Sequence, residues 1–145
     1  MAQPHPCAAG ARLRGMKYSP QILVADDDAQ IRELIVALVQ RTLPDARITA
    51  VEDGRKGLDH YKAHGADLVI SNFLMPGMDG PEFVACLREM HECVPVIMVS
   101  GSPEAEQRGR EAGIDEFVDK LNLKRLPGVM KRLLEAACPG HSRAA

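Results

Sequence analysis

The sequence predicts an α/β fold in which a doubly wound, five-stranded parallel sheet is covered by helices on both faces. Five short runs rich in apolar or β-branched residues alternate with five segments of helical character. No internal repeat or low-complexity block interrupts this alternation. Right-handed crossovers leave few strand orders for such a chain, and 2-1-3-4-5 is one of the two common ones. We therefore predict the order 2-1-3-4-5.

Length and composition are those of one ordinary globular domain. The chain has 145 residues, 46% hydrophobic and 26% charged. A net charge of −2 and the absence of Trp disfavour binding to nucleic acid or to an anionic membrane. No apolar run approaches the ~18 residues of a membrane span. Because no CxxC pair occurs, we expect reduced cysteines in a cytoplasmic protein rather than a metal or disulfide framework.

The two ends of the chain are interpreted as flexible. Residues 1–19 lack the apolar core of a secretory signal and are expected to form a leader. Residues 138–145 have nothing to pack against and are expected to form a tail, which leaves residues 20–137 as the domain. No basic helix-turn-helix segment follows residue 138, so we expect either a stand-alone domain or a piece of a longer protein.

The first half of the chain is predicted to contain two strands and two helices. The strands are residues 21–25 and 47–51. Between them lies an amphipathic helix that Asp28 caps and Leu43-Pro44 ends. Its predicted inward residues are Ile31, Leu34, Ile35, Leu38 and Val39. A second helix over residues 54–64 is predicted to turn Leu58 and Tyr61 inward and to stop at Gly65.

The second half is predicted to contain three strands and three helices. Asp79 and Glu82 form a candidate capping box, and Ser102 followed by Pro103 is a candidate helix start. The last helix is placed near Pro127, because a proline inside a helix costs roughly 3 kcal/mol. Its predicted inward residues are Val129, Met130, Leu133 and Leu134. The predicted strands are 67–71, 94–99 and 114–118, and the first two helices are 81–91 and about 103–113.

Polar side chains at the ends of four predicted strands are candidate site residues. In the predicted order, the carboxyl ends of strands 1, 3, 4 and 5 converge on one edge of the sheet. Adjacent carboxylates suit a hard cation such as Mg²⁺, and a hydroxyl and an ammonium facing it suit a phosphoryl group. Each residue alone has a simpler interpretation as a helix cap or a solvated side chain. The strand-end residues are Asp26, Asp27, Asn72, Ser100 and Lys120.

Four segments together resemble the receiver domain of bacterial two-component response regulators, over roughly residues 20–137. That family has a flavodoxin-like fold. Residues 22–28 resemble its first strand and acidic pair, and residues 74–80 closely match its Met-Pro-x-Met-Asp-Gly loop. Residues 99–101 match its Thr/Ser-Ala/Gly step, and residues 117–120 match its aromatic-x-x-Lys step.

The resemblance implies a role for each residue of the site. Ser100 and Lys120 would contact phosphoryl oxygens, and Phe117 would change rotamer with the state of Ser100. A Mg²⁺ ion would be the cofactor, and its implied ligands are Asp27 directly, Asp26 through a water, and the backbone carbonyl of Leu74.

The sequence departs from the family at the phosphoacceptor, where an aspartate is replaced by Asn72. A carboxamide has no nucleophilic carboxylate oxygen, so we predict that no acyl phosphate forms there. Strand alternation points Ser71 to the other face, so it is no substitute. Removing a like-charge pair at ~5 Å is worth roughly 3 kcal/mol at an effective dielectric near 20. Asn72 is therefore expected to reduce the charge repulsion in the metal-free site and to weaken Mg²⁺ binding.

A second departure follows Lys120. The family has a proline in a cis peptide at this point, whereas Leu121 stands here. We expect a trans peptide and a rebuilt loop before the last helix, because a non-proline cis bond costs ~2.5–4 kcal/mol. Two departures favour a naturally divergent receiver over an engineered Asp-to-Asn change at Asn72, and both explanations stay open.

The function predicted is that of a response regulator receiver module in a two-component phosphorelay, acting through protein–protein contacts and not as an enzyme. Its implied partners are a histidine kinase, a phosphotransfer protein or another signalling protein. The contact face is built from helix 4, strand 5 and helix 5, through which a homodimer could also form. The alternatives are an ordinary phosphorylatable receiver engineered at Asn72 and a Mg²⁺-dependent phosphohydrolase, whose cap the short loops cannot supply. Three histidines are expected to be solvated rather than phosphoryl donors: His60, His64 and His91.

Overall fold

A computed structural model of the chain describes residues 19–137. The five strands are β1 (Gln21–Ala25), β2 (Arg47–Val51), β3 (Leu68–Asn72), β4 (Val96–Ser100) and β5 (Glu116–Asp119). The five α-helices are α1 (Ala29–Thr42), α2 (Gly54–His64), α3 (Gly80–Glu89), α4 (Ala105–Ala112) and α5 (Leu126–Ala136). All strand pairs are parallel and the order is β2-β1-β3-β4-β5, so the predicted topology is confirmed.

The sheet separates two apolar clusters, one on each face. One cluster packs α2, α3 and α4 against the sheet, and the other packs α1 and α5. Neighbouring strand residues contribute to opposite clusters, as Val69 and Ile70 do in β3. Because β3 and β4 are central and covered on both faces, every one of their residues is buried. This explains why these strands are apolar on both faces up to their polar ends, Ser71-Asn72 in β3 and Ser100 in β4.

Most predicted helix boundaries are confirmed by side-chain caps. The Asp28 carboxylate accepts hydrogen bonds from the amides of Gln30 and Ile31, at 2.9 and 3.2 Å. Asp79 and Glu82 form the predicted capping box, with reciprocal hydrogen bonds of 2.9 and 3.0 Å. The helix that was predicted to stop at Gly65 does so, and the glycine adopts a φ of 72°.

The predicted start of α4 is wrong. Ser102 is not its N-cap, because the helix begins at Ala105 behind Glu104, which makes no side-chain cap. The amide of Ser102 instead donates to Oγ of Ser100, at 3.0 Å, and its carbonyl accepts from the amide of Ala105. Residues 101–104 therefore form a turn before the helix, and Pro103 lies in that turn.

The last two predicted strands also begin later than expected, at Val96 and Glu116. Pro95 has no N–H with which to join the hydrogen-bond ladder before Val96. The amide and carboxylate of Asp115 both bond to the backbone of Val96, and β5 starts after this contact. Residues 94–95 and 114–115, which were predicted to be strand, therefore belong to the loops before β4 and β5.

The inward residues are confirmed with one exception on α1. Ile35 and Val39 are buried, and Ile31 and Leu38 pack against the same cluster, but Leu34 is 46% exposed. The buried stripe of α1 is narrower than the apolar stripe in the sequence, and Leu34 lies at its margin. The other predicted inward residues, all buried or packed against a core cluster, are Leu58, Tyr61, Val129, Met130, Leu133 and Leu134.

The trans peptide expected after Lys120 is confirmed. No cis peptide bond occurs within residues 19–137, and a 3₁₀ segment (Lys120–Arg125) leads into α5, where Pro127 lies in the first turn. Leu121 is 95% exposed on this segment.

Two remaining expectations concern the cysteines and the chain ends. Cys86 is a free thiol, but Cys93 is disulfide-bonded, so the expectation of reduced thiols is wrong at Cys93. Cys7, Cys138, the predicted tail and all of the predicted leader except Ser19 lie outside the described residues. Within the described range, none of the helices has the length and apolarity that crossing a membrane requires.

Candidate functional site

The candidate site lies at the carboxyl edge of the parallel sheet. Asp26 and Asp27 directly follow β1, Asn72 and Ser100 are the last residues of β3 and β4, and Lys120 directly follows β5. Because all five strands run in the same direction, these ends face one edge. The chain therefore brings polar groups that are far apart in sequence to neighbouring positions.

Asp26 is the most deeply buried of the acidic residues at this edge. Its side chain has no solvent exposure, and its Oδ1 accepts a hydrogen bond of 2.9 Å from the amide of Asp28. Its Oδ2 has no hydrogen-bond partner within residues 19–137, although Nζ of Lys120 lies 3.8 Å away. Burial raises the pKa of Asp26, against the opposing effects of the Asp28 amide and Lys120. A buried carboxylate is thus held in place mainly by one amide and one ammonium.

Asn72 connects the ends of two strands. Its side-chain nitrogen donates to Oδ1 of Asp27 at 3.1 Å and to the backbone carbonyl of Leu74 at 2.6 Å. Both partners are pure acceptors, so the nitrogen of the carboxamide, not its oxygen, must face them. The residue is only 7% exposed. Asn72 therefore joins the β1–α1 loop to the β3–α3 loop by two hydrogen bonds.

Gly80 ends the matched 74–80 loop, but the sequence analysis assigned it no role in the site. It begins α3, and its amide donates to the carbonyl of Phe73 at 2.9 Å. A Cβ atom at Gly80 would overlap the backbone carbonyl oxygen of Asn72 and lie 3.0 Å from the terminal methyl of Met98. The absence of a side chain lets α3 approach the end of β3. A glycine directly after the capping residue Asp79 was the available signal.

Ser100 and Phe117 are not joined to the other site residues by a hydrogen bond or ion pair in the structure. The hydroxyl oxygen of Ser100 accepts from the amide of Ser102, within its own loop. Phe117 is half-buried and packs against the cluster that includes α3 and α4. The structure thus pairs Asp26 with Lys120 and joins Asn72 to Asp27 and Leu74, and the roles predicted for Ser100 and Phe117 remain predictions.

Comparison with protein families decides the class of this fold. The sequence model of the response regulator receiver domain matches residues 22–129. The chain belongs to the response regulator receiver family. It is therefore a receiver domain of two-component signalling, as the resemblance of its strand-end motifs implied.

Relatives and solved structures agree with this assignment. The receiver domain is 31% identical over 131 residues to the transcriptional regulatory protein CseB of Streptomyces avermitilis, covering 86% of this chain and 54% of that protein. It is 30% identical over 124 residues to the response regulator MprA of Mycolicibacterium vanbaalenii, covering 82% and 52%. The chain thus spans about half the length of these curated relatives.

Two solved structures show the same fold. The chemotaxis protein CheY4 of Vibrio cholerae superposes with a TM-score of 0.70 at 28% identity, covering 79% of this chain and 98% of that one. The receiver domain of the Francisella response regulator 1452 gives a TM-score of 0.70 at 26% identity, covering 81% and 98%. The predicted flavodoxin-like receiver fold is therefore confirmed.

Receiver domains generally bind Mg²⁺ at the phosphorylation site, so the residues here can be tested for their fit to that ion. The donor types are suitable, since Asp26, Asp27 and the carbonyl of Leu74 are all oxygen donors. Their arrangement is not, because Oδ1 of Asp27 and the carbonyl of Leu74 both already accept an N–H from Asn72. No group of three or more His, Cys, Asp or Glu within residues 19–137 is placed to hold a metal ion. As arranged, a cation would have to displace the Asn72 amide from two of its three implied ligands.

His60 and His64 lie away from this edge, near the start of β1. His60 and His64 stack on α2 with their ring centroids 4.6 Å apart, and they line a cavity of about 270 Å³ together with Arg47 and the start of β1. Burial, and to a smaller degree the charge of His64, lowers the pKa of His60. His64 and His91 are exposed as expected, whereas His60 is half-buried.

Proposed function

We propose that this receiver domain signals through protein–protein contact without becoming phosphorylated at Asn72. The observation that carries the proposal is the chemistry of the side chain at the end of β3. A carboxamide stands where the family resemblance places the phosphoacceptor aspartate, and its nitrogen is hydrogen-bonded to Asp27 and Leu74. A partner protein, rather than an acyl phosphate, would then set the signalling state.

Phosphoryl transfer to this position would require a carboxylate oxygen that attacks phosphorus while the donor's leaving group departs. In a carboxamide, the nitrogen lone pair is delocalised into the carbonyl, and no anionic oxygen is present. Ser71 does not compensate, because its hydroxyl is fully buried and donates to the carbonyl of Asn72 at 2.9 Å. The hydroxyl next to Asn72 in the sequence is therefore not available to a phosphoryl donor.

The proposed contact surface is the face formed by α4, β5 and α5. Glu116 of β5 pairs with Arg132 of α5 at 2.9 Å and with Arg110 of α4 at 3.9 Å, which ties the three elements together. On the 3₁₀ segment that follows β5, Leu121 presents an almost fully exposed apolar side chain. We propose that a kinase, a phosphotransfer protein, another signalling protein or a second copy binds here, and that the protein acts in the cytoplasm.

Mass spectrometry after incubation with acetyl phosphate and Mg²⁺ tests the proposal. The unmodified chain is expected to gain no mass at residue 72. The Asn72→Asp variant is expected to gain ~80 Da, the mass of one PO₃ unit, because Ser100 and Lys120 remain in place. Hydroxylamine should remove that mass, as it does for an acyl phosphate.

A Gln40→Glu variant is the matched control for an amide-to-carboxylate change. Gln40 is exposed near the C-terminal end of α1, whereas the candidate site lies at the N-terminal end, which Asp28 caps. Gln40→Glu should therefore acquire no phosphoryl group. A hydroxylamine-labile gain on the unmodified chain that maps to Asn72 would refute the proposal.

A further inference from the structure

We infer that the Asn72 carboxamide takes the place of a divalent cation in this receiver domain and makes its loop geometry independent of Mg²⁺. The inference rests on the proposed function in that both assign residue 72 to the phosphoacceptor position. It goes further, because it assigns to the amide nitrogen a structural role that a cation would otherwise have.

The geometry of the amide nitrogen carries the inference. It lies 3.1 Å from Oδ1 of Asp27 and 2.6 Å from the carbonyl oxygen of Leu74. These two acceptors belong to different loops, β1–α1 and β3–α3, and would repel each other if nothing lay between them. A primary amide carries two N–H bonds, so it can satisfy both acceptors at once. A divalent cation placed between the same two oxygens would have the same bridging function.

An aspartate at this position cannot make these contacts. Its carboxylate only accepts hydrogen bonds, so three oxygen groups would face one another at the same place. The side-chain charges at the edge would also change: Asp26 and Asp27 against Lys120 sum to −1, whereas an aspartate at residue 72 would make the sum −2. A cation would then be needed for both reasons, to bridge the oxygens and to offset the charge.

The oxygens of Asp26 also have nitrogen neighbours. Oδ1 of Asp26 accepts from the amide of Asp28 at 2.9 Å, and Oδ2 of Asp26 lies 3.8 Å from Nζ of Lys120. The carbonyl of Asp26 accepts from Arg32 at 2.8 Å. Oδ1 and the backbone carbonyl of Asp26 thus accept hydrogen bonds from the chain itself, whereas its Oδ2 makes no hydrogen bond within residues 19–137 and has only the Lys120 ammonium nearby. These contacts fix the β1–α1 loop, and the hydrogen bond from Asn72 to Asp27 joins it to the end of β3 without a metal ion.

Thermal unfolding in EDTA and in millimolar MgCl₂ provides the first test. The unmodified chain is expected to have the same midpoint in both. The Asn72→Asp variant is expected to unfold at a lower temperature in EDTA and to recover with Mg²⁺, with an apparent Mg²⁺ affinity at least about tenfold higher than that of the unmodified chain. Asn72→Ala leaves the position vacant without adding charge, and its midpoint should also rise with Mg²⁺. Gln40→Glu should behave as the unmodified chain does.

Nuclear magnetic resonance of asparagine-labelled protein provides the second test. The chain has two asparagines, Asn72 and Asn122, so the latter serves as an internal reference. The side-chain amide protons of Asn72 should exchange with solvent more slowly than those of Asn122 and should not shift when Mg²⁺ is added. This comparison measures the protection of the Asn72 amide in the unmodified protein and does not depend on the stability of the variants.

Two results would overturn the inference. One is a midpoint of the unmodified chain that rises with Mg²⁺ as much as that of Asn72→Asp. The other is an exchange rate of the Asn72 side-chain amide equal to that of Asn122. Neither result bears on whether residue 72 accepts a phosphoryl group, because mass spectrometry measures that independently. Failure of this inference and failure of the proposed function are therefore distinguishable.

Discussion

Replacing Gly80 with alanine is expected to lower the free energy of unfolding by about 3 kcal/mol, because the new Cβ would overlap the backbone carbonyl oxygen of Asn72. Backbone cannot move aside as the end of a flexible side chain can. The start of α3 would have to shift away from the end of β3, which would also strain the hydrogen bond from the Gly80 amide to Phe73. Urea unfolding followed by circular dichroism measures the change, since the chain has no Trp.

Gly128→Ala is the matched control and should have the opposite sign. Gly128 lies in the first turns of α5, and a Cβ there would meet no atom within 4 Å. Removing a helical glycine in open space stabilises a protein by about 0.5–1 kcal/mol. If Gly80→Ala were as stable as the unmodified chain while Gly128→Ala gained stability, the close approach of α3 to β3 would be disproved.

Replacing Arg88 with methionine is expected to cost about 3 kcal/mol, because its guanidinium joins three segments of the chain. It donates to the carbonyls of Glu92 and Val94, each at 2.8 Å, and to that of Gly113 at 3.0 Å. It also donates to the Asp115 carboxylate at 3.1 Å, and both side chains of this ion pair are 24% exposed. Methionine preserves much of the apolar stem but leaves these acceptors without their donor.

Arg132→Met is the control for the loss of an arginine ion pair at the surface. Arg132 pairs with Glu116 at 2.9 Å but is 57% exposed, so its loss should cost less than about 1 kcal/mol. Equal destabilisation by the two substitutions, measured by the same urea titration, would contradict the structural role assigned to Arg88. An Asp115→Asn variant, combined with Arg88→Met in a double-mutant cycle, should show that the two side chains are coupled.

Features that depend on neighbouring residues were predictable from the sequence. The helix caps Asp28 and Asp79 could be recognised in the sequence because their hydrogen-bond donors are amides only two or three residues further along the chain. The strand order followed from the alternation of strands and helices together with the handedness of the crossovers. The residues at the carboxyl edge of the sheet could then be predicted, because the sequence shows where each apolar run ends.

Errors arose where a local pattern was compatible with more than one partner. Ser102 and Pro103 have the composition of a helix start, yet the hydroxyl of Ser100 takes the Ser102 amide and delays α4. Leu34 fits the helical period, but the stripe of α1 that meets the sheet and α5 is too narrow to cover it. In both cases, periodicity and composition describe what a segment can do, and packing selects among those possibilities.

The sequence by itself determined the fold, the residue types at the strand ends and the absence of a carboxylate at Asn72. Only the tertiary structure decided that the amide of Asn72 donates to Asp27, 45 residues earlier, and that Arg88 reaches Asp115, 27 residues later. The physical reason is that hydrogen bonds between distant residues depend on where the folded sheet places two loops to within a fraction of an ångström. Local propensity and hydrophobic periodicity set the elements that carry those loops, but not the partners that meet when the elements pack.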